Sequence, residues 1–305
     1  MPLNRREFLQ YLALLGTFPL IGPVQARKMP EHTGVIPSSG EVIPAIGLGS
    51  WITFGIEPDD EEEMAQRERI MREFLARGGG MLDSSPMYGN AQDVIGRCIK
   101  RIGHHDGLFS ATKVWVQGER QGLLQMRRSQ DFWGLPVLDL MQVHNLLDWE
   151  THLPTLHAMK AEGQIRYVGV TTSHGRRHSE LASIMREQEL DFVQFTYNVL
   201  DREAEEVLLP LAADRGIAVI INRPFQRGGL FDYVGNQPLP DWARDIDCTS
   251  WAQFFLKFII SHPAVTCAIP ATSRVDHLIE NIGVGYGPLP DQAMRMEMAE
   301  YVRRL

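Results

Sequence analysis

The chain has 305 residues, 44% hydrophobic and 22% charged, an ordinary globular composition with enough apolar material for one large core or two modest ones. Its formal net charge of -8 and pI of about 5.7, with no Lys/Arg-rich run, argue against a nucleic-acid partner. Cys98, Cys248 and Cys267 have neither disulfide-framework nor metal-ligand spacing, so they read as small buried hydrophobes and no metal site is expected.

The first 26 residues stand apart from the rest. Asn4-Arg5-Arg6-Glu7-Phe8-Leu9 precedes an uncharged run from Tyr11 to Ile21 and then Val24-Gln25-Ala26, which is the order of n-region, apolar h-region and small-residue cleavage site. The paired arginines before Phe8-Leu9 are similar to a twin-arginine signal, which implies the twin-arginine export machinery as a partner and a periplasmic or otherwise exported protein. The alternative is an uncleaved N-terminal membrane anchor. After cleavage no stable membrane span is expected, and residues 27–305 form the folded domain.

Short apolar runs alternate with longer amphipathic ones from there on. Candidate strands are Ala45 to Ser50, Gly80 to Ser84, Leu108 to Lys113, Leu138 to His144, Arg166 to Thr171, Phe192 to Thr196, Ala218 to Asn222 and Val265 to Pro270. Between them lie helical segments at Glu61 to Ala76, Asp93 to Arg101, Glu119 to Trp133, Thr151 to Glu162, Ser179 to Glu189, Glu203 to Arg215 and Ser250 to Ser261. Strand, helix, strand without hairpin signals means parallel strands joined by crossover helices, and eight such units predict a single-domain α/β (β/α)8 barrel, the TIM-barrel architecture. Val35 to Pro44, with its Ser38-Ser39-Gly40 turn, reads as a β-hairpin plugging the barrel bottom. The stretch Gln226 to Thr249 lengthens one strand-to-helix connection and reads as a lid on the opposite rim.

In such a barrel, chemistry gathers where strands end, because side chains there converge on one mouth. Those ends deliver Asp83 and the nearby Tyr88, then Lys113, then His144. A tyrosine near its ordinary pKa of about 10 is a poor acid at neutral pH, and a neighbouring ammonium favours the phenolate. Lys113 supplies that ammonium in this reading, Asp83 holds it, and His144 gives a hydrogen bond to a substrate oxygen. Taken singly, Asp83 with Lys113 reads first as a structural ion pair and His144 as a core histidine, and it is the four together on successive strand ends that favour chemistry. His104, His105 and His174 read as solvated loop residues.

Three segments, Asp83-Ser84-Ser85-Pro86-Met87-Tyr88-Gly89, Ser110-Ala111-Thr112-Lys113-Val114-Trp115 and Asp139-Leu140-Met141-Gln142-Val143-His144-Asn145, in this order, closely resemble the aldo-keto reductases. The resemblance runs from about Glu41 to Asn281 and implies that Asp83, Tyr88, Lys113 and His144 are the catalytic tetrad of a carbonyl reductase, with Tyr88 as proton donor to a small-molecule carbonyl substrate. It also implies a nicotinamide cofactor lying across the barrel mouth, NADPH in the first place and NADH in the second. Gly49, Ser50, Trp51 and Asp83 then lie near its ribose and the substrate, and Thr171, Thr172 and Gln194 near the carboxamide. Ala271, Thr272, Arg274, His277, Glu280 and Asn281 embrace the adenosine phosphate, with Arg274 as the cation for a 2'-phosphate. The aromatic residue that the family stacks on the nicotinamide corresponds to Asn222, so Arg223 or Phe225 would have to replace it. Trp51, Met87 and Trp115 are expected to line the substrate pocket. A second functional reading keeps barrel and cofactor but makes the protein an exported NADP-binding sensor with negligible turnover.

Overall fold

The computed structural model describes residues 30–305 of the chain. The signal-peptide reading of residues 1–26 lies outside the described residues. No helix among the described residues is long and apolar enough to cross a membrane.

Ten short strands are present among the described residues: β1 (Thr33–Val35), β2 (Val42–Pro44), β3 (Leu48–Gly49), β4 (Gly80–Asp83), β5 (Leu108–Val114), β6 (Leu138–Val143), β7 (Ile165–Thr171), β8 (Phe192–Thr196), β9 (Ala218–Asn222) and β10 (Cys267–Ala268). The last eight form one parallel sheet in sequential order. Bridges between Ile46 and Ala268 and between Gly49 and Ala271 bring its two ends together. Gly49 is fitted to that seam, because its amide donates to Pro270 O at 3.0 Å and a Cβ there would stand 2.7 Å from Ile269 O. The expected barrel is therefore present. The strands flanking the seam are shorter than expected, β3 and β10 keeping two residues each in regular pairing.

Helices cover the outside: α1 (Glu61–Ala76), α2 (Ala91–Ile102), α3 (Glu119–Trp133), α4 (Trp149–Ala161), α5 (His178–Glu187), α6 (Leu208–Arg215), α7 (Gly229–Val234), α8 (Trp251–Ile260), α9 (Val275–Gly283) and α10 (Gln292–Arg303). Helix α1 illustrates why they form. Asp60 caps it by accepting from the amides of Glu62 and Glu63 at 3.1 Å, three glutamates fill its positive end, and Met64, Ile70, Met71, Phe74 and Leu75 bury one face. One expected helix, Glu203 to Arg215, is divided: a 3-10 turn at Glu203–Glu205 precedes α6.

The core has two parts. Inside the barrel sit Met81, Phe109, Leu140, Tyr167, Phe192 and Ile220 with their neighbours, and outside it lies the larger layer between strands and helices. Phe109, Tyr167 and Phe192 pack ring against ring with centroids 5.6 to 5.8 Å apart. Full burial of one such ring contributes about 1.5–3 kcal/mol. The β1–β2 hairpin is the plug expected of it: Ile36 and Ile43 join the inner core, and the Tyr167 hydroxyl meets Ser39 Oγ at 2.8 Å and Glu41 Oε2 at 2.5 Å. The bottom is closed, which leaves the other mouth for ligands.

The segment Gln226 to Thr249 is a folded one rather than a loose flap. It carries α7 and a 3-10 turn at Asp241–Ile246, and Leu230, Val234, Ala243, Ile246 and Cys248 are buried in the outer core. Buried Lys257 holds it further by donating to Ile246 O at 2.8 Å and Pro288 O at 2.9 Å. The three cysteines are free and buried, as their spacing suggested.

Candidate active site

Side chains on a strand alternate, so the residue two places beyond a core position points the same way. Two places beyond Met81, Ala111, Leu140, Phe192, Ile220 and Ile269 stand Asp83, Lys113, Gln142, Gln194, Asn222 and Ala271. Asp83, Lys113, Gln142, Gln194 and Asn222 make the next layer of the barrel interior polar where the layers below are apolar, and Ala271 stands apolar and exposed at the rim. His144 continues β6 by another such step and opens a short 3-10 turn instead of ending the strand.

At the centre, Lys113 Nζ donates to Asp83 Oδ2 at 2.5 Å and to Ser84 O at 2.8 Å, and both side chains are buried. The other carboxylate oxygen of Asp83 accepts from Gln194 Nε2 at 3.0 Å and Gln142 Nε2 at 3.2 Å. Tyr88 folds back over this pair, with Lys113 Nζ 5.2 Å from its ring centroid. His144 meets the Tyr88 ring edge-on at 5.8 Å, and its Nδ1 lies 2.7 Å from Ser85 Oγ. The four expected residues are thus brought together at one place.

The electrostatics differ from the expectation in one respect. The Tyr88 phenol is pushed well above its ordinary pKa, first by burial and then by the charge of Asp83, instead of being drawn toward the phenolate by Lys113. The positive charge of Lys113 is already answered by Asp83 at hydrogen-bond distance. Tyr88 is therefore fully protonated at neutral pH, and its hydroxyl has no hydrogen-bond partner among the described residues. Burial also lowers Lys113, with Asp83 opposing it. Burial and then Lys113 lower His144 to about 2, so its ring is neutral.

Above these residues opens a cavity of about 370 Å³, to which Tyr88, His144, Asp83, Gly49, Ser50, Trp51 and Met87 contribute. Thr171, Thr172, Gln194, Asn222, Arg223, Phe225 and Ala271 complete its expected wall. Trp115 is half exposed and stands at the rim, its ring 6.3 Å from that of His144 and outside that wall. Two expected contacts are already engaged within the protein. Gln194 bridges Asp83 and Asn222, while Asn222 donates to Thr172 O at 2.8 Å and accepts from Thr196 Oγ1 at 2.7 Å. Arg223 does not take the place of a stacking ring over Asn222: its guanidinium turns aside to His174 Nε2.

Thr272, Arg274, His277, Glu280 and Asn281 lie beyond the cavity wall on the loop after β10 and on α9. Arg274 closes on Asp276 at the surface, its Nε donating to Oδ1 at 3.0 Å, so the expected phosphate cation is paired with an acid. Four participants were not foreseen. Gln142 and Ser85 support Asp83 and His144, His174 lines the cavity from the exposed loop position expected of it, and Arg227 lies 4.2 Å over the Trp51 ring. Gln142 was discoverable, since it shares a face with His144 two residues later. The others depend on how loops meet.

The mouth suits a nicotinamide cofactor on its own chemistry. Thr172 Oγ1 is buried beside Asn222 and Gln194 with no hydrogen-bond partner, a cost that a bound amide removes. Closed parallel barrel, plugged bottom and an acid-held lysine under a protonated tyrosine together define a barrel protein whose one open mouth is equipped for proton transfer. The chain belongs to the aldo/keto reductase family, whose sequence model matches residues 45–298, and it is accordingly an NAD(P)H-dependent oxidoreductase. Among curated relatives, the NADH-specific methylglyoxal reductase of Escherichia coli is 26% identical over 255 residues, 72% of this chain and 73% of that one. A solved aldo/keto reductase from Klebsiella pneumoniae, in complex with NADP and acetate, superposes with a TM-score of 0.73 at 22% identity, covering 88% of this chain and 95% of the other. The holo form of an aldo-keto reductase from Bacillus halodurans gives 0.71 at 20% identity, over 89% and 96% of the two chains.

Proposed function

We propose that the protein reduces an aldehyde or ketone to an alcohol, with Tyr88 as the proton donor and NADPH as the preferred cofactor. The observation that carries this reading is the protonated, unpartnered Tyr88 hydroxyl beside neutral His144 at the floor of one cavity. When bound, the nicotinamide supplies the hydride to the carbonyl carbon. Ser50, Trp51, Thr171, Thr172, Gln194 and Asn222 hold its nicotinamide end in this reading, and Ala271, Thr272, Arg274, His277, Glu280 and Asn281 its adenosine end.

Tyr88 gives its proton to the carbonyl oxygen as negative charge develops there. Its raised pKa makes it a weak acid in the free site, and an oxyanion at hydrogen-bond distance favours transfer. Lys113 under the ring stabilises the resulting phenolate, and the buried Asp83 contact keeps the lysine there. Ser85 Oγ accepts from the Met87 amide at 3.2 Å, which frees its hydrogen for His144 Nδ1. We assign the ring proton to Nε2, from which it donates to the same oxygen.

The preference for NADPH draws on the NADP named for the Klebsiella pneumoniae structure, while Asp276 on Arg274 works against it. Residues 1–26 extend the proposal to export by the twin-arginine route, with the carbonyl chemistry outside the cytoplasm. The deciding experiment is mass spectrometry of whatever dinucleotide co-purifies, followed by an aldehyde panel with that dinucleotide. Tight binding with no turnover on any aldehyde would sink the enzymatic reading. For export, replacing Arg5 and Arg6 by lysine should retain the protein in the cytoplasm, and unchanged distribution would refute the signal.

A further inference from the structure

The two arginines on the loop after β9 leave it in opposite directions. Arg227 reaches the Trp51 ring beyond β3, which adjoins β10 and the side of the mouth leading to α9. Arg223 instead reaches His174, on the loop after β7, three strands round the sheet from β10. Any group held by Arg223 on that side is therefore turned away from the path toward α9. Both arginines and His174 line the same cavity as Tyr88 and His144.

The surroundings of Arg223 leave its charge available. It forms no ion pair among the described residues. The acidic group it senses is Asp201, whose Oδ2 already accepts from Asn198 Nδ2 and Gln226 Nε2 at 2.9 Å. Arg227 adds positive charge near both Arg223 and His174, and so does Arg176, exposed on the β7–α5 loop and likewise without an ion pair among the described residues. Burial and then Arg223 and Arg176 depress the His174 pKa, so that ring is neutral and accepts from Arg223 through Nε2, while Nδ1 donates to Ser173 Oγ at 2.8 Å. The His174 amide is fixed in turn by Thr196 Oγ1 at 3.0 Å, the hydroxyl that also holds Asn222. Both partners sit in left-handed backbone, His174 at φ 65° and Arg223 at φ 52°. Non-glycine residues occupy that region at a cost, which neighbouring contacts must offset. Arg223 thus holds an unpaired charge in a partly buried wall with Arg227 and Arg176 as further positive charges around it, an arrangement that favours an anion.

We propose that Arg223, oriented by His174 and reinforced by Arg176, binds a carboxylate or phosphate carried by the carbonyl substrate. Arg223 is thus a specificity residue, and the substrate class is an anionic aldehyde or ketone. The proposal rests on the carbonyl-reductase reading above.

The test compares charged and uncharged members of matched pairs: 4-oxobutanoate with its methyl ester, and glyceraldehyde 3-phosphate with glyceraldehyde. The parent should favour the charged member of at least one pair, and which pair it is separates carboxylate from phosphate. In Arg223→Gln the charged-to-neutral ratio of kcat/KM should fall roughly tenfold or more, the loss expected when a charge-assisted contact is removed. Arg176→Gln, at an exposed loop position, should lower the same ratio by a smaller factor and serves if the first variant folds poorly. In parallel, succinate and inorganic phosphate are titrated calorimetrically into the NADP+-loaded parent and variants, where affinity for one of them should fall with the ratio. A parent with no preference for charged members, an equal loss on both members, or weakened NADP+ binding with an unchanged ratio each overturns the proposal. If the parent reduces no carbonyl at all, the function reading fails, and the anion titration still decides whether Arg223 builds an anion site.

Discussion

Lys113 Nζ sits between two partners, 2.5 Å from Asp83 Oδ2 and 5.2 Å from the centre of the Tyr88 ring, so one buried ammonium touches both the acid below and the phenol above. Asp83 takes the hydrogen bond and Tyr88 the ring-face contact. That division leaves the Tyr88 proton in place until a substrate oxygen draws it away.

Replacing Tyr88 by Phe should lower carbonyl reduction by about a hundredfold or more, the range for loss of a general acid. Because the ring over Lys113 is kept, dinucleotide affinity should change little. Steady-state rates on a good aldehyde, with a fluorescence titration of the cofactor, check both halves. A variant rate close to the parent's would remove Tyr88 from the chemistry.

Lys113→Met should cost stability as well as rate, since it leaves the Asp83 carboxylate buried with only Gln142 and Gln194 to answer it. Losing one partner of a buried pair costs about 3–5 kcal/mol. Adding Asp83→Asn removes the orphaned charge and should recover much of the stability without the activity. Urea denaturation and rates on the same samples decide the matter: a double variant as active as the parent would make the pair structural only.

The depressed pKa of His144 has a signed consequence. In the unfolded chain its imidazole takes up a proton near pH 6.5, whereas in the fold it resists protonation to about pH 2. The contribution to stability is thus complete above about pH 6.5. It is lost as the pH falls toward 2, at up to about 1.4 kcal/mol per pH unit. Denaturation midpoints measured from pH 7 to pH 4 should fall less steeply for His144→Gln than for the parent, and parallel slopes would contradict the assignment. For the same reason, His144 should contribute no ionisation to kcat/KM between pH 5 and 8.

Arg274 and Asp276 form a second pair with a readable outcome, this time in cofactor choice. Asp276→Asn releases the guanidinium and removes a charge that repels a 2'-phosphate, so the NADPH-to-NADH affinity ratio should rise. Arg274→Ala should lower it. Both groups are exposed and screened by salt, so changes of about fivefold are expected. Dissociation constants at a single salt concentration test this, and identical ratios in all three proteins would remove Arg274 from the phosphate site.

Much of the fold was legible in the residues alone because barrel geometry repeats a local rule. A strand buried on both faces reads as a short apolar run, the crossover helix between two parallel strands as an amphipathic one, and their regular alternation counts the staves. Asp83, Lys113 and His144 were located as the carboxyl ends of such runs, and in the structure each lies an even number of residues beyond a core side chain on its own strand. Gln142 does so as well and was within reach. The seam strands β3 and β10 came out shorter than their apolar runs suggested, each pairing regularly with its inner neighbour over two residues while isolated bridges close the seam.

The sequence by itself determined which side chains line the inside of the barrel, because alternation along a strand is fixed by the backbone two residues at a time. Tertiary structure decided what those side chains are like once assembled. The Tyr88 phenol is held protonated by burial and by Asp83, although the nearest positive charge suggested the opposite. His174 and Arg223 are far apart in sequence and meet only because the loops after β7 and β9 converge at one mouth. Arg274, a free cation as a letter in a polar loop, is closed on Asp276 in space. Burial and Coulomb interactions sum over neighbours from many strands, and only the closed barrel determines which neighbours those are.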